Sequence, residues 1–308
     1  MFRNKSCFSV IILFAVFTTF TAWAEDDLGL TLNPDRIQLA SVKAAIFDPA
    51  NGALLYSKNE NVPTPIASIT KLMTAMVVLD AGQSLDEWLT IKSIKRESDN
   101  NGYSRMRIGS QLKRGDLMLL ALMASENLAA SNLAIHYSGG FEAFVAAMNA
   151  KARALGMEST QFVDASGLSE QNLSTAIDLV KMITAANGYP EIRQYTTTRN
   201  FTATFKEPRY RLTYGNTNRL VQRQSWDVGV SKTGYLNEAG RCLVMMTEVE
   251  GKELAMVLLD SFGKLTPIGD AGRVKRWLTT GNGGRVAGAA LQYEQEKTKQ
   301  LSLLSAAE

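Results

Sequence analysis

The sequence predicts an α+β fold: an antiparallel five-stranded sheet built from both chain ends, flanked by helices, with a helical lobe inserted. Two observations carry this expectation. Short apolar runs of strand length cluster near both ends of the chain, two at the front and three at the back. Between them, apolar residues recur at helical spacing over long stretches. Strands from both ends joined by helices fit one sheet with a helical lobe, and the cleft between sheet and lobe is the natural place for a site.

Taken in order, the chain opens MFRNKSCFSVIILFAVFTTFTAWAEDD. Arg3 and Lys5 precede an apolar run from Cys7 to Thr21, and Ala22-Trp23-Ala24 fits the small-x-small cleavage rule. Residues 1–24 therefore read as a secretory signal peptide, which implies export. Cleavage after Ala24 leaves 284 of the 308 residues, and loss of two basic residues takes the formal charge from +3 to +1. Near-neutrality argues against a nucleic-acid partner. Once Cys7 is gone, Cys242 has no intrachain disulfide partner, so the fold must rest on its core. One histidine, His136, and one mature cysteine exclude a zinc site of His/Cys spacing; a carboxylate-only metal site stays open, though no Asp-rich loop with EF-hand spacing is present.

A polar leader spans residues 25–40, and the folded domain is expected over 41–280. Val42 to Phe47 and Ala53 to Ser57 flank DPANG and read as a hairpin. PTPIASITKLMTAMVVLD, residues 63–80, then reads as a helix starting near Ala67. Residues 112–138 read as two apolar helices with a polar break, and Gly140 to Leu155 as a further helix. Another runs from Thr175 to Ala186 with Ser174 as its N-cap. WDVGVSKTGYL, RCLVMMTEVE and ELAMVLLDSF are the three C-terminal strands. A helix with Val274, Trp277 and Leu278 follows, GNGG ends it, and residues 281–308 are expected to be a polar, mobile tail without an amphipathic membrane anchor.

The chemistry lies in the first helix. Between Ile66 and Leu79 its one charge is Lys71, on a helix apolar nearly all round. Such helices are buried, and lysine is almost never buried unpaired. Ser68 stands three residues earlier, where helical geometry brings hydroxyl and amine together. A serine hydroxyl needs a base to take its proton. Burial, and the positive end of the helix dipole, lower a lysine pKa until it can be that base. A second Ser-x-x-Lys, Ser261 to Lys264, ends a strand and lacks the geometry.

Ser125-Glu126-Asn127 and Lys232-Thr233-Gly234 complete the set expected of Ser-x-x-Lys enzymes. Ser98-Asp99-Asn100 rivals the first of these, but sits in a charged, loop-like stretch, whereas apolar helices flank Ser125 and Asn127. On a strand beside the cleft, Thr233 can bond a terminal carboxylate while Lys232 supplies positive charge, which would also lower the Lys71 pKa. Gly234 admits a close backbone approach.

With these motifs the chain resembles the low-molecular-mass penicillin-binding proteins over about residues 41–280. IASITKLMTAMVVLD, LLALMASEN, FVDASGL, STAIDL, SKTGYLNEAGRCLV and DSFGK carry the resemblance, which is closest to the D-alanyl-D-alanine endopeptidases of the penicillin-binding protein 7 group. It implies a β-lactamase/transpeptidase-like fold, a periplasmic location and a serine peptidase of peptidoglycan stem peptides that needs no metal or organic cofactor, with β-lactams as covalent inhibitors. It assigns Ser68 as nucleophile, Lys71 as base, Ser125 as proton relay and Asn127 as a substrate contact. Lys232, Thr233 and Gly234 become the substrate strand, and the backbone N–H groups of Ser68 and Tyr235 the oxyanion hole. Three other readings stand beside this one. A D-alanyl-D-alanine carboxypeptidase would use the same parts. A class A-like β-lactamase would need a deacylating glutamate, which Glu170 to Ser174 does not match. A non-catalytic cell-wall binder has no reason to bury a lysine. His136, in AIHYSGG, is expected to cap a helix or lie on the surface rather than join a Ser-His-Asp site.

Overall fold

The structure, a computed structural model, describes residues 32–94 and 103–305. The signal-peptide residues and Ser98-Asp99-Asn100 lie outside them. In chain order the strands are β1 (Lys43–Asp48), β2 (Ala53–Lys58), β3 (Thr64–Pro65), β4 (Trp88–Thr90), β5 (Gln111–Lys113), β6 (Leu173–Ser174), β7 (Asn200–Phe205), β8 (Tyr210–Gly215), β9 (Asp227–Leu236), β10 (Gly240–Val249) and β11 (Lys252–Ser261). The α-helices are α1 (Lys71–Asp80), α2 (Arg114–Met123), α3 (Asn127–Ile135), α4 (Gly140–Ala154), α5 (Ala176–Asn187), α6 (Pro190–Thr197), α7 (Thr266–Thr280) and α8 (Gly288–Ser305).

One sheet dominates, in the order β2-β1-β11-β10-β9, antiparallel throughout. Its central strands are apolar at successive residues because both faces are covered. On β11, Leu254, Met256 and Leu258 pack towards Val274 and Trp277 of α7. Ala255, Val257 and Leu259 alternate with them and pack into the larger core with α1, α2, α3 and α5. Strand β9 is left at the sheet edge, facing the helical lobe. The β1–β2 turn follows its residue types. Asp48 Oδ1 accepts from Ala50 N at 2.9 Å, Asn51 Oδ1 from Ala53 N at 3.0 Å, and Gly52 supplies φ +71°.

Two expectations are corrected. Thr175, not Ser174, caps α5, its hydroxyl accepting from Asp178 N at 3.2 Å, because Ser174 is held in β6 opposite Thr64. The C-terminal segment, read as a mobile tail, contains helix α8 packed on the domain. Ala290 and Glu294 are buried, Glu294 pairs with Lys58 at 2.7 Å, and the Tyr293 hydroxyl donates to Asp260 Oδ1 at 2.7 Å. Its docking face is largely polar, matched group for group, and a hydropathy pattern does not register such a face.

That contact supports a strained point. Strand β11 carries one extra residue against β10 between Leu258 and Ser261, and Asp260 there takes φ +54°. Its carboxylate is held from two sides, by Lys43 Nζ at 2.8 Å and by Tyr293. Tyr293→Phe keeps the ring and loses the hydroxyl that bonds a charged partner. It is expected to lower stability by about 1.5–3 kcal/mol in urea unfolding; an unchanged midpoint would show that α8 does not brace the bulge.

Candidate active site

The chain enters the site through β3, whose pairing with β6 and the Ile66 N–H to Asn172 O bond (3.0 Å) fix its direction. Ala67 then turns through φ +47° into a 3-10 helix, Ala67–Thr70, that leads into α1. Sequence spacing places Ser68 in the first turn of an α-helix; the structure places it in this tighter turn. Side chains at i and i+3 eclipse in a 3-10 helix. Lys71 Nζ accordingly stands 2.7 Å from Ser68 Oγ.

Lys71 is wholly buried. Its amine meets three oxygens: Ser68 Oγ at 2.7 Å, Asn127 Oδ1 at 2.7 Å and Ser166 O at 2.5 Å. The last two are acceptors only, so a neutral amine gives them its two N–H bonds and turns its lone pair to the Ser68 hydroxyl. The protonated amine has three donors for the same three oxygens. Both states are therefore satisfied, and a proton can pass from Ser68 to Lys71 without rebuilding the site. Burial lowers the Lys71 pKa from 10.5 to about 7, against the opposing pull of Asp164 and Glu126.

The Ser166 acceptor is a residue that sequence reasoning missed. Asp164 builds its turn: Oδ1 accepts from Ser166 N, Ser166 Oγ and Gly167 N, and Oδ2 from Ser169 N. Asn172, fully buried, ties that turn to the 3-10 helix of Ser68, accepting from Val163 N at 2.7 Å and donating to Thr70 Oγ1 at 3.1 Å. The signal was present in Asp-Ala-Ser-Gly, whose residue types favour a side-chain-capped turn. Gly167 has φ +79°, and a Cβ there would collide with the Ala67 carbonyl. Glu170, on the same loop, is exposed.

The break between α2 and α3 brings in the second motif. Ser125 adopts φ +59°, and Glu126 caps α3 by accepting from Leu128 N at 3.2 Å. Asn127 thereby reaches Lys71, while Ser125 Oγ accepts from Lys232 Nζ at 2.9 Å. Lys232 is also buried, and burial first, then Lys71, push its pKa well down. The sequence expectation that Lys232 and Lys71 repel is met by two buried amines coupled to each other. Burial is the largest cause for both amines, and the repulsion between them is mutual, disfavouring the state in which both are charged.

Strand β9 closes the site. Gly234 lies so close to the serine turn that an added Cβ would sit 3.2 Å from Ser68 N and from Ala67 Cβ. Thr233 Oγ1 bonds Thr217 Oγ1 at 2.7 Å beside Arg219. Ser68, Ser125, Asn127, Thr233, Gly234 and Tyr235 all line one cleft of about 430 Å³. The other candidates lie elsewhere in the bonding network. Ser261 is buried against Ser41 Oγ at 2.9 Å, and Lys264 is exposed on the cleft rim. His136 ends α3 and bonds Thr90 O at 2.9 Å. Among the described residues no cluster of three or more His, Cys, Asp or Glu could hold a metal ion.

The family model for D-alanyl-D-alanine carboxypeptidases, peptidase family S11, matches residues 30–263, and the chain belongs to that family. The chain is 45% identical to the D-alanyl-D-alanine endopeptidase of Escherichia coli K12, over 96% of its own length and 95% of the relative's. It is also 45% identical to that of Pseudomonas aeruginosa, over 98% and 97%. Among solved structures, the Streptomyces K15 DD-transpeptidase superposes with a TM-score of 0.72 at 26% identity, covering 85% of this chain and 99% of that one. Penicillin-binding protein D2 of Listeria monocytogenes, in its cefotaxime-bound form, gives 0.66 at 29%, covering 76% and 95%.

Gly167→Ala tests the turn that carries the third lysine acceptor. It should cost about 3 kcal/mol or more, from overpacking and the left-handed backbone together, read by thermal or urea unfolding. Native-like stability would mean that the turn does not press on Ala67.

Proposed function

We propose that this chain is a periplasmic serine peptidase that cleaves D-alanyl cross-links between peptidoglycan stem peptides. The observation that carries the proposal is the buried Lys71 amine 2.7 Å from Ser68 Oγ, with its other two partners restricted to accepting. Ser68 Oγ attacks the D-alanyl carbonyl while its proton passes to Lys71 Nζ. The carbonyl oxygen gains negative charge, which the backbone N–H groups of Ser68 and Tyr235 stabilise. The C–N bond breaks, the proton leaves on the amine by way of Ser125, and water then hydrolyses the ester to restore Ser68. Lys232 holds Ser125 in place, Asn127 orients both Lys71 and the substrate amide, and Thr233 takes a substrate carboxylate. Gly234 keeps the substrate strand close to the serine.

Relatives named D-alanyl-D-alanine endopeptidases, matched over almost their whole length, favour cross-link cleavage over release of terminal D-alanine. The cleft also has room for more than a single alanine beside Ser68. A β-lactam presents a strained amide to the same serine and forms an ester there, and the fold is that of a protein solved with cefotaxime bound. Export rests on the N-terminal signal pattern. Among the described residues no helix is long and apolar enough to cross a membrane.

The deciding experiment incubates the mature protein with cross-linked and uncross-linked muropeptides. Dimers should be converted to monomers with little free D-alanine; rapid D-alanine release with dimers untouched would reverse the assignment. Ser68→Ala should abolish penicillin labelling, and Lys71→Ala should slow acylation by about 10²- to 10⁴-fold. Labelling mapped to another serine would remove Ser68 from its role. The base must be neutral to act, so wild-type acylation should fall as pH drops through about 7 and level off above it. A rate still climbing towards 10 would place the base elsewhere.

A further inference from the structure

The cleft that holds Ser68 is lined also by groups the proposed reaction does not use, and these have a consistent chemistry. Its floor is apolar, made by Leu243, Leu265 and Ile268. Three cations, Arg219, Arg241 and Lys264, line it, and no carboxylate does. None of the three makes an ion pair with a described residue.

Arg241 is the most fixed of these. It stands opposite Tyr235 in the β9–β10 register, on the strand that carries Lys232, Thr233 and Gly234. Its guanidinium carbon is 3.5 Å from the centre of the Tyr235 ring. The Tyr235 hydroxyl donates to Asn237 Oδ1 at 2.8 Å, which holds the ring in turn. On its other side Arg241 faces Ser261, at the bulge braced by Asp260 and α8. Flat on an aromatic face, a guanidinium keeps its planar edge of N–H donors free for a planar anion. Elsewhere the chain nearly balances its charges, so three uncompensated cations around an apolar floor mark a site for an anionic ligand with an aliphatic part.

We propose that Arg241, laid on Tyr235 and flanked by Lys264, is an anion-binding subsite for the stem peptide that leaves, and that it selects cross-linked substrate over terminal D-alanine. This deepens the cross-link-cleaving reading and rests on it. A leaving D-alanine brings one methyl and one carboxylate, which Thr233 serves. A leaving stem adds the aliphatic side chain of a diamino acid and further carboxylates. The apolar floor matches the first addition and Arg241 the second.

Three substrates test this: a cross-linked dimer whose leaving stem has free carboxylates, the same dimer with them converted to carboxamides, and an uncross-linked pentapeptide. The readout is the ratio of kcat/KM between substrates on one protein preparation, so any loss of folded protein cancels. Wild type should prefer the carboxylate dimer over the carboxamide dimer by about tenfold, the scale of one charge-assisted contact. Arg241→Gln should bring that ratio close to one and shrink the preference for dimer over pentapeptide in step. Arg241→Lys should fall between, keeping the charge and losing the planar stack. If Arg241→Gln leaves the ratio at its wild-type value, or wild type treats both dimers alike, the subsite is wrong while cross-link cleavage stands. If wild type releases D-alanine and spares both dimers, the cross-link reading fails and the subsite falls with it.

Discussion

The structure depends on keeping an amine out of water. Lys71 sits with no exposed surface between the serine turn, the α2–α3 break and the 164–169 turn. Lowering its pKa from 10.5 to about 7 costs the charged form on the order of 5 kcal/mol. Between those two values the unfolded chain holds a proton that the folded chain does not. Folding stability therefore rises with pH across that window, and the burial penalty is felt in full below it. The domain carries a liability at neutral pH and in return holds a base that is about half neutral there.

Several features of the fold follow from that constraint. The amine needs oxygens that accept and never donate, so a carbonyl from Ser166 and the amide oxygen of Asn127 surround it. Both come from chain breaks, where a backbone or a short side chain can be aimed inward. The left-handed residues Ala67, Ser125 and Gly167 are the bends that bring these breaks together. Gly234 lets the edge strand approach, and Lys232 shares the same burial. Ala67 and Ser125, neither of them glycine, hold left-handed backbone at the site itself. Asp260 is another such residue, at the bulge that faces Arg241, and is braced by Lys43 and Tyr293.

Much of this was legible in the sequence, for a physical reason. Strands and helices with apolar faces announce themselves by period, so all five strands of the main sheet and the helices up to α5 could be placed. The more polar α6 and the β7–β8 hairpin were not read. Ser68 and Lys71 stood out because a lone charge on an apolar helix breaks the pattern. What stayed hidden depends on contacts without periodicity. Asp-Ala-Ser-Gly marks a turn, but nothing in those residue types says that the Ser166 carbonyl meets an amine or that Asn172 is a buried tie. Helix α8 docks through Tyr293 and Glu294, polar groups whose partners are more than thirty residues away in sequence. That burial outweighs the repulsion between Lys71 and Lys232 likewise requires knowing that both amines are buried.

The central claim is that Lys71 is poised to accept a proton before any substrate arrives. It is tested most directly by NMR titration of the lysine amines in the unliganded protein, with Lys71 assigned through Lys71→Arg. One lysine should titrate near 7, and its signal should be missing from the variant. A Lys71 that stays protonated up to the ordinary value of 10.5 would contradict the account.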